Sequence, residues 1–149
     1  MNFEEEENEI TVQWNNTFSE YATDNCAHQL FELQCEQHPD SLAVVYGDQS
    51  ITYGELNVRA TKLACYLRSI GVRPGVFIGI YVERSLEMVV GMLAVFKSGG
   101  VYVPMDPASP VERIAFILND INATVLLTMQ KFFDLLPEMK LHMIDMERE

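Results

Sequence analysis

The side chains most able to do chemistry in this chain are three cysteines, three histidines and a few charged residues beside turns. Cys26, Cys35 and Cys65 form no C-x-x-C pair, and an odd count argues against a closed disulfide framework. His28, His38 and His142 are scattered and make no H-E-x-x-H pattern, so neither type of residue has the spacing of a zinc site. Reduced, mostly buried thiols are the expectation. No G-x-S-x-G elbow supplies a nucleophile, and no histidine has a nucleophile and a carboxylate arranged around it. Ser98-Gly99-Gly100 is neither a G-x-x-x-x-G-K-[ST] nor a G-x-G-x-x-G loop. It also falls at the end of a helical pattern, where the dipole disfavours anions, so it reads as a tight turn. Asp106, before Pro107, has the form of a catalytic acid, but the better expectation is an acceptor of backbone N–H groups in a turn. Arg84 and Arg113 each open a helical stretch, and pairing with Glu83 or Glu112 is expected for them. No catalytic, cofactor-binding or metal-binding residue is therefore assigned.

The elements around these residues alternate. Residues 26–38 suggest a helix with Leu30, Phe31 and Leu33 on its apolar side, ended at His38-Pro39. Leu42-Ala43-Val44-Val45-Tyr46 and Gln49-Ser50-Ile51-Thr52 flank Gly47-Asp48 as a hairpin. Thr52-Tyr53-Gly54-Glu55 is a capping box opening a helix with Leu56, Ala60, Leu63, Leu67 and Ile70 on one stripe. Gly71 stops it, and Arg73-Pro74-Gly75 turns the chain. Residues 76–82 are apolar throughout, as in a strand buried on both faces.

Ser85 is placed to cap a helix to about Lys97, with Leu86, Val89, Met92, Leu93 and Phe96 facing inward. A short strand at 101–103 follows. Ser109-Pro110-Val111-Glu112 reads as a second capping box with proline at the first helical position. Its helix carries Val111, Ile114, Ile117, Leu118 and Ile121. Residues 124–128 form another buried strand, 129–136 a short helix, and 141–145 a last strand. Such alternation implies right-handed crossovers and an α/β fold whose sheet is mostly parallel.

At 149 residues the chain can build one real core. Hydrophobic residues at 48% exclude wholesale disorder. The net charge of −12 opposes phosphate backbones, so no nucleic-acid partner is expected. Glu4, Glu5, Glu6, Glu7, Glu9 and Glu20 face no Lys or Arg within residues 1–20, which marks an acidic lead-in over residues 1–25. No apolar run of about 18 residues spans a membrane, and the acidic start is unlike a secretory signal; the expected location is cytoplasmic.

Two stretches carry a specific resemblance. Ile51-Thr52-Tyr53-Gly54-Glu55-Leu56-Asn57 resembles the first core motif of nonribosomal peptide synthetase adenylation domains, usually Leu-Thr-Tyr-x-Glu-Leu. Phe96 through Pro107 resembles the second, Lys-Ala-Gly-x-Tyr-Val-Pro-Leu-Asp-Pro. Val82-Glu83-Arg84-Ser85-Leu86-Glu87-Met88 and Pro110-Val111-Glu112-Arg113-Ile114 are similar to further segments of that family. Trp14-Asn15-Asn16-Thr17 resembles the connection from a condensation domain. Ile51, Ser98 and Met105 depart from the usual wording without changing a charge, and Tyr21-Ala22 stands where Tyr-Pro is frequent. Acyl-CoA synthetases share the architecture; the Tyr102-to-Pro107 wording and Trp14 favour the peptide synthetase branch.

The resemblance implies an adenylate-forming enzyme's N-terminal subdomain: a mostly parallel sheet, flanking helices and an early hairpin. Residues 26–149 are then the truncated front of an AMP-binding domain. Complete domains of this family use ATP and Mg to form aminoacyl adenylate, then load a carrier protein. Their phosphate loop, ribose-binding Asp and catalytic Lys match nothing here. The expected function is thus a piece of an amino-acid-activating domain, inactive alone and with no cofactor of its own. Alternatives are a module completed by a partner that supplies the rest of the fold, or an unrelated α/β ligand-binding domain. The expected partners are that remainder, a condensation domain or a carrier protein.

Overall fold

A computed structural model describes residues 11, 12, 14–17 and 25–148. Most of the acidic lead-in, with Phe18 and Tyr21, lies outside the described residues. Trp14 is within them and exposed.

Helix α1 (Ala27–Gln37) leads into an antiparallel hairpin, β1 (Leu42–Tyr46) and β2 (Gln49–Thr52), turned at Gly47 with φ of +59°. The expected capping box at Thr52 is closed both ways. The Glu55 N–H donates to Thr52 Oγ1 at 3.2 Å, and the Thr52 N–H donates to Glu55 Oε2 at 3.0 Å. It opens α2 (Tyr53–Ser69), whose Leu56, Ala60, Leu63 and Leu67 are buried as their spacing demands; Ile70 is half-buried. The Gly71 N–H reaches Arg68 O and the Val72 N–H reaches Leu67 O, which is a Schellman closure at a glycine with φ of +101°.

Strand β3 (Phe77–Tyr81), helix α3 (Leu86–Ser98), strand β4 (Val101–Pro104), helix α4 (Val111–Asp120), strand β5 (Val125–Thr128), a 3₁₀ turn (Gln130–Leu135) and strand β6 (His142–Asp145) follow. The four strands make one parallel sheet in the order β4-β3-β5-β6. Its two inner strands are the buried ones: Ile78 to Tyr81 and Val125 to Thr128. The chain steps one way from β3 to β4, then back across β3 to β5. Right-handed crossovers therefore put α3 and α4 on opposite faces. Packing agrees. A Cβ on Gly79 would lie 2.7 Å from Leu126 and 3.0 Å from Leu118 of α4, whereas a Cβ on Gly91 of α3 would meet Leu127 and Ile80.

Four expectations need correction. Leu30 and Leu33 are each 46% exposed; of the three expected residues only Phe31 packs inward, and buried Cys35 joins it, because the helix meets its neighbours on that side. In α3 the buried positions are Leu86, Val90, Gly91, Leu93, Ala94, Val95 and Ser98, while Val89, Met92 and Phe96 are half-buried; the helix is covered on two sides, by the sheet and by α2. The Ser109 box does not close. Pro110 is the N-cap, with no side-chain cap, and its carbonyl accepts from Arg113 and Ile114 N–H. The helix expected over residues 129–136 is a 3₁₀ turn, Gln130–Leu135.

Candidate functional site

In doubly wound sheets, ligands sit outside the carboxyl ends of the strands where the winding reverses. Here that point lies between β3 and β5, and the chain fills it. Thr128 Oγ1 donates to Tyr81 O at 2.8 Å. The Tyr81 and Phe132 rings meet at 4.6 Å between centroids. Above them Lys131 pairs with Glu83 at 2.6 Å. Burial pushes the Tyr81 phenol above its ordinary range, so it stays neutral.

Several motif residues are committed to scaffold work. Lys97 is nearly buried and bonds the Glu32 carboxylate, tying α3 to α1. Cys35, also buried, donates weakly to Tyr53 O at 3.4 Å. Burial raises its thiol, with nearby Lys97 pulling the other way. Asp106 Oδ1 accepts the Ala108 N–H at 2.9 Å, the turn role expected for it. Ser85 Oγ caps α3 by accepting the Met88 N–H at 3.2 Å.

The expected arginine pairs are not formed. Glu83 is taken by Lys131, and neither Arg84 nor Arg113 makes an ion pair with the described residues. Arg59, absent from the expectations, bridges α2 to Glu87 of α3 at 3.4 Å. Its position four residues after Glu55 gave no hint of a partner 28 residues away. Tyr66 and His142 likewise join α2 to β6 at 3.0 Å, a contact that sequence spacing could not reveal. Cys26 and Cys65 are exposed rather than buried.

No group of three or more His, Cys, Asp or Glu side chains converges among the described residues.

The geometry gives an α/β scaffold with a doubly wound parallel sheet, and sequence comparison gives its family. The model of the family described as AMP-binding enzyme matches residues 31–148. The chain belongs to that family. It is 46% identical over 134 residues to tyrocidine synthase 3 of Brevibacillus parabrevis, covering 90% of this chain and 2% of that one. Over 128 residues it is 47% identical to gramicidin S synthase 2 of Brevibacillus brevis, covering 86% of this chain and 3% of that one. Among solved structures, the AMPPNP-bound form of the nonribosomal peptide synthetase FmoA3 matches with a TM-score of 0.83 at 29% identity, over 91% of this chain and 15% of that one. The NpsA N-terminal subdomain of Klebsiella oxytoca, in complex with 3-hydroxyanthranilyl-AMSN, matches with a TM-score of 0.75 at 26% identity, over 85% of this chain and 33% of that one. The chain thus matches the N-terminal part of a nonribosomal peptide synthetase adenylation domain. It spans a few per cent of the curated relatives' length.

Proposed function

We propose that this chain is the front framework of an amino-acid-activating adenylation domain and forms no adenylate by itself. Residues 26–149 would be the domain portion and residues 1–25 the connection ahead of it. The observation that carries the reading is where the motif side chains go. Thr52 and Glu55 close a helix cap, Lys97 holds Glu32, and Asp106 holds a turn. None is left to position a triphosphate or to stabilise charge during transfer, which is what phosphoryl chemistry requires of a protein. No described residue is assigned a catalytic role.

In a complete domain this framework would serve ATP and Mg, with a condensation domain and a carrier protein as partners, in the cytoplasm. The test is amino-acid-dependent exchange of pyrophosphate into ATP by the purified 149-residue chain, across all proteinogenic amino acids. No exchange is expected. Exchange that survives removal of contaminating synthetases overturns the reading.

One observation favours a second form of the same idea, completion by a partner. Among the described residues, strands β4 and β6 each pair on one side only, so both sheet edges carry open backbone groups. Co-expression with the remainder of an adenylation domain should then give a stable complex with exchange activity. Two polypeptides that stay separate on gel filtration count against it.

A further inference from the structure

Beside the filled crevice lies an open one. A cavity of about 420 Å³ sits where β3 and β4 end, and its lining includes Ile80, Val82, Arg84, Met88, Tyr102 and Met105. Its size falls within the range of small-ligand sites. The lining combines an apolar floor with three polar side chains, Arg84, Tyr102 and Asp106. Ile80, Val82 and Met105 are buried, and the methionines supply a deformable apolar surface. Arg84 brings a guanidinium that forms no ion pair among the described residues. The Tyr102 phenol is half-buried, and that burial raises its pKa, keeping it a hydrogen-bond donor at neutral pH.

We infer that this cavity binds a carboxylate attached to an apolar group, with the carboxylate on Arg84 and the apolar body over Met88 and Met105. A planar guanidinium matches a carboxylate in two parallel hydrogen bonds. Asp106 also lines the cavity, so Arg84 offsets its charge as well as the ligand's, which favours a single negative group on the ligand. The amino end of α3, which begins two residues after Arg84, adds to the attraction. The carboxylate has two sources, a free organic acid or the C-terminus of a partner protein.

The probes are 4-phenylbutyrate for the free acid and acetyl-Gly-Gly-Phe for the protein terminus, titrated into the full chain and followed by amide chemical shifts. Shifts confined to residues 80–88 and 102–107 are expected. The exposed Arg84→Gln should keep the dispersed spectrum and weaken binding about tenfold or more; the neutral acetyl-Gly-Gly-Phe amide should lose as much. Arg113→Gln should bind as the parent does. Tighter binding of the peptide assigns a protein C-terminus, and equal or tighter binding of phenylbutyrate a free acid. The inference is overturned by Arg84→Gln binding undiminished, by an amide that binds as well as the acid, by shifts elsewhere, or by no shifts at millimolar probe.

Discussion

Helices α1 and α2 are successive helices of one chain, yet they are held in different ways. α2 sinks Leu56, Ala60, Leu63, Ala64 and Leu67 into the core against α3 and the sheet. α1 buries only Cys35, packs Phe31 at 5.9 Å from Tyr53, and relies on the Lys97–Glu32 pair. One helix is fixed by a broad apolar face, the other by a small apolar contact and one ion pair. The difference teaches that a helix's apolar residues do not by themselves decide which face docks: in α1 the leucines face out and a buried lysine from α3 selects the docked side.

The sharpest test of that contrast is truncation. Leu67→Ala should cost about 2–5 kcal/mol, read by urea unfolding, because the side chain is fully buried and leaves a cavity. Leu33→Ala in α1 should stay within about 0.5 kcal/mol. Equal losses would break the distinction.

Next comes the pair itself, which should respond unevenly. Glu32→Gln leaves the Lys97 ammonium buried, with its side chain 7% exposed and uncompensated, and should cost about 1–3 kcal/mol. Lys97→Gln returns Glu32, 43% exposed, to water and should cost less. The reverse order in denaturation midpoints would show that the pair does not clamp α1.

A smaller effect separates the two box sequences. Thr52→Ala should lose about 1 kcal/mol of stability. Ser109→Ala, at a box that never closes, should leave the melting temperature nearly unchanged. A matching loss at Ser109 would place a cap there after all.

The smallest effect is alkaline. The Cys35 thiol is raised above its ordinary value of 9.0 mainly by burial, so the folded state holds that proton more tightly than the unfolded chain. Its contribution is complete below pH 9 and is lost as pH rises through the folded value. Unfolding midpoints taken from about pH 8 to about pH 10.5 should therefore fall, and Cys35→Ala should flatten part of that fall. An unchanged slope in Cys35→Ala would remove the thiol from the interface.

Much of this was legible in the chain. The period-3.6 stripe of α2, the unbroken apolar runs of β3 and β5, the hairpin at Gly47 and the Thr52 box are local patterns, and each folded as its spacing required. The two family-like stretches pointed to an adenylation framework, and the family match covers them both. The failures have two causes. The leucines of α1 and the buried face of α3 depended on partners far along the chain, whereas the Ser109 box fails locally, because the helix starts one residue later with Pro110 as its N-cap.

Sequence alone thus determined most of the elements, their order and the parallel α/β class, because helix and strand periods and most cap chemistry act within a few residues. Tertiary structure alone decided that Lys97 seats α1, that Tyr81, Phe132 and the Lys131–Glu83 pair fill the switch point, and that Arg84 is left facing a cavity. Those outcomes rest on side chains that meet only after the sheet assembles, and no local spacing encodes which charge finds a partner there.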